Sequence, residues 1–253
     1  MKSITPFFVE KPWGGHYLAH QFKRPAAKLG EAWLLSTLPE GESTVDGVKL
    51  SQTLGQELPY LVKIIDAQEP LSVQVHPNDE WAKQLENSRG KTECWLILEA
   101  VEGAGVYLGL KPHTDESTIR TAIAHDRGVQ DLLVFHPVRR GDFISVPAGT
   151  IHAIGAGVTL LEVQQASGIT YRIWDWGRQD RELHVDKSMK VANFSAEHGI
   201  LFNVFASATP RVLLEHADFQ CHFNQGDGKG WYVNLENFQV QQSPPTAPFI
   251  FVK

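Results

Sequence analysis

Cysteine is almost absent from this chain: Cys94 and Cys221 are the only two in 253 residues, and they have no C-x-x-C spacing. That excludes a disulfide framework and a cysteine-bound zinc knot as organising devices. No unbroken apolar run reaches about 18 residues, so no membrane-spanning helix is expected. The opening M-K-S-I-T-P-F-F-V-E has no sustained apolar stretch either, which makes the cytoplasm the default compartment. Positive charge is the minority: 23 Lys and Arg against 29 Asp and Glu leave a formal charge of −6, with no basic block. A general nucleic-acid surface is thereby excluded, whereas anionic small molecules can still be met by local Lys and Arg. Internal repeats and low-complexity segments are missing too. What is present is 42% hydrophobic residues, ample for one large β domain or two smaller ones.

The most informative stretch is Leu71–Pro77, L-S-V-Q-V-H-P. Strict alternation predicts a strand with Ser72, Gln74 and His76 on one face and Leu71, Val73 and Val75 toward the core. A row of amide and imidazole on a buried strand costs free energy unless partnered, and a metal ion is a suitable partner. An ordinary half-exposed strand is the plainer reading. A second segment, Lys91–Ile97, places Lys91 and Glu93 on one face. A third, Gly141–His152, reads as a strand, a tight turn through Pro147 and Gly149, and a histidine opening the next strand. The three segments offer two imidazoles, one carboxylate and one amide oxygen, a plausible set for a zinc site with an open position. The competing reading for His152 is a turn histidine bonded to backbone.

Along the rest of the chain, Lys11–Gly15 and Gly30–Ser36 read as short strands and turns, with Trp13 and Trp33 as core aromatics. Leu58–Ile65 reads as a strand. A helix is predicted over Glu80–Asn87, capped by Asn78 or Asp79, and another from Thr114 or Asp115, with Asp131–Phe135 as a short continuation. The runs W-L-I-L-E-A and V-Y-L-G-L about Gly103 and Gly105 suggest a β-hairpin. Val158–Gln164 puts Leu160, Glu162 and Gln164 on one face, and Ile169–Trp174 does so for Thr170, Arg172 and Trp174. A short helix is predicted over Asp186–Asn193 and further strands from about residue 200. His16, His20, His113, His125, His136, His184, His198, His216 and His222 show no ligand spacing and are taken as surface or structural.

Gly141, Pro147, Gly149 and His152 fit the second cupin motif, G-x5-P-x-G-x2-H, although its usual asparagine is Ala156 here. The first cupin motif is altered as well: Gln74-Val75-His76 stands for H-x-H, and an inserted helix delays Glu93. With K-P-W-G-G at 11–15, G-E-A-W-L-L-S at 30–36, G-K-T-E-C-W at 90–95, V-P-A-G-T-I-H-A-I at 146–154 and Y-R-I-W-D-W-G-R at 171–178, the chain resembles the short bacterial form of the type I mannose-6-phosphate isomerases over roughly residues 5–195. The resemblance implies a mainly β, cupin-type barrel or jelly roll with short helical insertions. It divides the chain into a metal-binding catalytic domain over 1–198 and a second β domain over 199–253. Family members usually continue further, so that second domain is expected to be short or incomplete.

By the same resemblance Gln74, His76, Glu93 and His152 are ligands of one zinc ion, Arg172 is the active-site arginine, and Glu162 falls on an acidic position proposed to carry the proton. Ser72, Lys91 and Arg178 fall on substrate-binding positions. The implied reaction interconverts mannose 6-phosphate and fructose 6-phosphate through an enediol. The partner is a sugar phosphate; neither nucleic acid nor membrane is expected. Two other readings stay open: a sugar-phosphate sensor that keeps the metal without turnover, and another metal-dependent cupin enzyme such as an oxygenase. An oxygenase typically uses more histidines, whereas one glutamine, one carboxylate and two histidines suit a redox-inert ion better.

Overall fold

Period-two alternation dominates the first 175 residues, and it builds two antiparallel sheets that face each other. The structure is a computed structural model and describes residues 4–25, 27–194, 201–206 and 209–253. In the larger, seven-stranded sheet the spatial order is Leu201–Asn203, Asp142–Val146, Glu93–Ala100, Val158–Gln165, Tyr60–Ala67, then Phe7–Gly15 with Leu29–Leu35, the last pairing with both neighbours. The smaller sheet runs Leu133–Pro137, Gly105–Leu110, His152–Ile154, Val73–Val75, Tyr171–Trp174. The architecture is therefore mainly β, with two facing antiparallel sheets as the resemblance to cupins implies.

Each strand of the larger sheet sends alternate residues to opposite sides. Ile65, Trp95, Ile97, Ile144, Val146 and Leu160 point inward, where they meet Val106, Leu108 and Ile154 of the smaller sheet. Val62, Ile64, Cys94, Leu96, Leu161 and Val163 point outward against a third sheet, Arg211–Glu215, Gln220–Phe223, Phe249–Val252, Trp231–Asn234, Val240–Gln241. Phe219, Cys221, Phe223, Val233 and Ile250 of that third sheet share one core with the larger sheet. The expected boundary at 198/199 lies outside the described residues, as does His198.

The smaller sheet turns its outer face to the helices. Val73, Val75, Tyr171 and Ile173 pack with Ile119, Met189 and Val191 from the helices Glu116–Ala124 and Val185–Val191. Leu71 joins the core between the sheets instead; the strand begins only at Val73, so alternation does not extend back to it.

Three expectations need correction. The runs after Glu93 and after Gly105 are not a hairpin, because the first stays in the larger sheet while the second crosses to the smaller one. Residues 131–135 do not continue a helix: one short 3₁₀ turn, Gln130–Leu132, leads into a strand that pairs with Gly105–Leu110. Trp174 does not share a face with Arg172. The pairing with Val73–Val75 slips between Arg172 and Trp174, and such a bulge sends Trp174 to the helix side while Arg172 faces inward.

The helix Asp79–Glu86 has its cap in the sequence: the Asn78 side chain accepts a hydrogen bond from Trp81 N at 2.9 Å. It stops at Asn87 in the left-handed region, and the chain returns close to its start. Gly90 N donates to Asp79 Oδ1 at 2.8 Å and Lys91 N to the Pro77 carbonyl at 3.0 Å. A Cβ on Gly90 would lie 2.6 Å from the backbone at Asn78 and Asp79. Gly90→Ala is therefore expected to cost about 1–3 kcal/mol and to loosen the clamp between the segments bearing His76 and Glu93. An unchanged urea midpoint would show that the loop relaxes freely.

Candidate active site

Strand register alone brings the polar residues into two facing rows. Across the larger sheet Trp95 pairs with Glu162 and Glu162 with Lys63. Across the smaller sheet His152 pairs with Gln74 and Gln74 with Arg172. The turn through Pro147 and Gly149 is needed for the second row, since Gly149 sits at φ +87, a conformation a side chain would strain. Gly149 N also donates to the His76 carbonyl at 2.8 Å, joining the turn to the strand it serves.

His76, Glu93 and His152 meet at the end of these rows, each fully buried, with one donor atom from each within 4.8 Å of the others. His76 Nε2 is 3.4 Å from Glu93 Oε2, and His152 Nε2 is 3.5 Å from Glu93 Oε1. Both imidazoles are oriented from behind: His76 Nδ1 lies 3.0 Å from the Ile169 carbonyl and His152 Nδ1 2.9 Å from the Thr150 carbonyl. A carbonyl can only accept, so the protons sit on Nδ1 and the Nε2 lone pairs face the cluster. Burial, then the Lys91 charge, holds His76 well below its ordinary pKa, and burial brings His152 down to about 4. Both rings are therefore neutral near pH 7, the form that can ligate a metal.

Three features suit this cluster to a cation. Glu93 Oε2 is buried without an aligned hydrogen bond. The Gln74 amide reaches His152 Nε2 at 3.2 Å, and a half-turn of that amide exchanges its nitrogen for its oxygen. The Lys91 ammonium already sits 3.0 Å from both His76 Nε2 and Glu93 Oε2, so the donors converge on positive charge. Two imidazoles, a carboxylate and an amide oxygen form a mixed nitrogen and oxygen set of the kind zinc accepts.

Glu162 stands beside this cluster. Trp95 Nε1 donates to Glu162 Oε2 at 3.0 Å and to Glu93 Oε1 at 3.1 Å, so one rigid indole fixes the spacing of the two carboxylates. Burial, then Glu93, raises the Glu162 pKa, against the pull of Lys63 and Lys91. Among the described residues Glu162 makes no salt bridge with Arg172. Its partners are instead Lys63 at 3.0 Å and Lys91 at 4.0 Å, while Arg172 Nη1 donates to the Glu182 carbonyl at 2.7 Å.

A cavity of about 300 Å³ opens in front of these groups, lined by Lys11, Trp13, Glu31, Lys63, Ser72, Gln74, Lys91, Glu162, Arg172 and Arg181 among others. Of the residues expected on substrate, Ser72 and Lys91 line it. Arg178 does not: its Nη2 donates to Asp175 and to the Pro70 carbonyl, both at 2.7 Å.

Sequence reasoning missed Lys63, Glu31, Lys11 and Arg181. Lys63 is buried between Glu162 and Glu31, 3.8 Å from the latter. Glu31 also accepts from Trp33 Nε1 at 2.6 Å and lies 3.7 Å from Lys11. Burial works against Glu31 ionising, but Lys63 and Lys11 outweigh it and hold its pKa below the usual carboxylate range. A signal existed, since a lysine two residues before Ile65 in an otherwise apolar strand must face inward. Trp33, read as a core aromatic, is only half-buried and packs on Phe7.

Residues 5–93 match the family model for the catalytic domain of type I phosphomannose isomerases. Over 236 residues the chain is 38% identical to the mannose-6-phosphate isomerase of Streptococcus mutans, covering 82% of this chain and 72% of that protein. The chain belongs to the mannose-6-phosphate isomerase family. Mannose-6-phosphate isomerase ManA of Bacillus subtilis is 41% identical over 212 residues, 74% of this chain and 66% of that protein, so the match spans about two thirds of the relative's length. A crystal structure of a Bacillus subtilis mannose 6-phosphate isomerase superimposes with a TM-score of 0.79 at 29% identity, covering 100% of this chain and 93% of that one. This isomerase fold therefore includes the third sheet, which lies within the superimposed length.

Proposed function

We propose that the chain interconverts mannose 6-phosphate and fructose 6-phosphate, with one zinc ion held by Gln74, His76, Glu93 and His152. The observation that carries this reading is the placement of a buried carboxylate, Glu162, beside a cation-ready cluster and on the wall of a sugar-sized cavity. When bound, the metal supplies positive charge that polarises the substrate carbonyl and favours the enediolate.

The remaining work falls to side chains. Lys11, Lys63 and Lys91 balance Glu31, Glu93 and Glu162 in this part of the site, so a divalent ion leaves it with surplus positive charge that suits an anionic sugar. Glu162 takes the proton from C2 and returns it to C1, and its raised proton affinity brings it nearer to neutrality than a free carboxylate. Lys63 and Trp95 fix its two oxygens. Ser72 and Gln74 face the sugar from the opposite sheet, and Lys91 places a point charge between metal cluster and substrate.

Arg172 presents a planar fork to the cavity, with its Nε buried and without a hydrogen-bond partner. An enediolate or phosphate oxygen completes it. Arg172→Lys keeps the charge but loses the fork, so turnover is expected to fall by more than about tenfold, or roughly 1.4 kcal/mol in barrier. Near-normal turnover would reduce Arg172 to a structural role. The reading as a whole is tested by an isomerase assay on purified protein together with metal analysis. Binding of mannose 6-phosphate without turnover in metal-loaded protein would favour the sensor reading instead.

A further inference from the structure

The cavity wall carries a guanidinium that the isomerase reading leaves unused. Arg181 lines the cavity together with Lys11, Ser72, Thr170 and Arg172. Its Nε and Nη2 donate to the two oxygens of Asp175 at 2.8 and 2.6 Å, and the Asp175 side chain is fully buried. Such a side-on bidentate pair fixes the plane of the guanidinium. Asp175 also accepts from Arg178 Nε and Nη2, at 3.2 and 2.7 Å. One carboxylate thus serves two guanidinia, and the Arg172 charge lies near as well. Burial first, then the proximity of Arg181, pushes the Arg172 pKa down, with Asp175 and Asp180 opposing.

The two arginines on Asp175 differ in what is left over. Arg178 continues to the Pro70 carbonyl and lies 3.7 Å from Glu69 through Nη1, so it ties two loops together and is off the cavity wall. Arg181 makes no further hydrogen bond among the described residues beyond Asp175, and its side chain is 21% exposed and lines the cavity. Two guanidinia close to one another on the cavity wall, those of Arg172 and Arg181, suit the dianionic end of a sugar phosphate.

We infer that Arg181, aimed by Asp175 and close to Arg172, is the residue that reads the phosphate group of the substrate, and that Arg178 is a positioning residue that holds Asp175. This rests on the sugar-phosphate isomerase reading. It deepens that reading by assigning specificity for the phosphorylated sugar to one side chain.

The test uses the metal-loaded full chain. The ratio of kcat/KM for mannose 6-phosphate to that for unphosphorylated mannose is measured in wild type, Arg181→Gln, Arg181→Lys and Arg178→Gln, together with inhibition by inorganic phosphate. Arg181→Gln leaves Asp175 paired with Arg178, so the fold is expected to persist. The ratio is expected to fall at least tenfold in Arg181→Gln, about 1.4 kcal/mol, and phosphate inhibition to weaken in step. Arg181→Lys is expected to fall between, and it reads the same ratio should the glutamine variant fail to fold. Arg178→Gln is expected to lower thermal stability and retain the ratio. An unchanged ratio and unchanged phosphate inhibition in Arg181→Gln overturn the inference, as does a loss confined to Arg178→Gln. Should the wild type not isomerise at all, calorimetric binding of mannose 6-phosphate decides separately: affinity that depends on Arg181 supports the phosphate assignment while the isomerase reading falls, and affinity independent of Arg181, or no binding, overturns it.

Discussion

Glu162→Gln is expected to abolish most turnover while leaving the site assembled. The amide keeps the size of the carboxylate and can still meet the Trp95 indole, which donates to Glu162 Oε2 at 3.0 Å. It cannot accept a proton from carbon. A positioned general base contributes about a hundredfold or more, so kcat is expected to drop by at least that factor, with metal content unchanged. Exchange of the substrate C2 hydrogen with solvent should fall together with kcat, because abstraction precedes the enediol. The variant also removes a negative charge from between Lys63 and Lys91, which lie 3.0 and 4.0 Å from Glu162 Oε1. Sugar-phosphate affinity is for that reason expected to hold or to tighten. Wild-type exchange and turnover in Glu162→Gln would move the base elsewhere, with Lys91 the next candidate.

His152→Ala is expected to remove both metal and activity. The imidazole is fully buried, backed by the Thr150 carbonyl, and packs edge-on to Trp95 with ring centroids 5.4 Å apart. No other histidine among the described residues joins the His76 and Glu93 cluster, so no side chain there can replace the lost donor. Disturbing even the groups behind a metal ligand costs about 10–100-fold in affinity, and deleting the ligand itself is expected to cost more than that. Metal analysis after dialysis and the isomerase assay read the two losses independently. Full metal occupancy in His152→Ala would sink the ligand assignment.

Some of the site was legible in the chain because strand alternation is a local property. Ser72, Gln74 and His76 alternate with valines, and Lys91, Glu93 and Trp95 alternate with small or apolar neighbours, so residues of each set share a face wherever the strand goes. The helix over Asp79–Glu86 announced itself through Asn78, whose side chain closes the first turn. Periodicity says nothing about where a strand finds its partner. The two runs on either side of Gly103 look like a hairpin in sequence, yet the first pairs with Val158–Gln165 and the second with His152–Ile154. Leaving the sheet there allows the larger and smaller sheets to face each other.

The mainly β character, the inward register of the polar residues and the turn that presents His152 are local consequences of the chain, because dihedral preference, side-chain period and the steric freedom of glycine act over a few residues. Which carboxylate meets which cation depends on how the strands pair and the sheets pack. Glu162 pairs with Lys63 rather than Arg172 because the strands Tyr60–Ala67 and Val158–Gln165 are neighbours in register. Arg172 faces the cavity without Trp174 because a bulge turns that indole to the other side. Asp175 gathers Arg178 and Arg181 from the loop that follows, leaving one on the cavity wall and the other off it. Charge pairing at about 3 Å depends on distances that alternation cannot encode, and the packing of two sheets sets them.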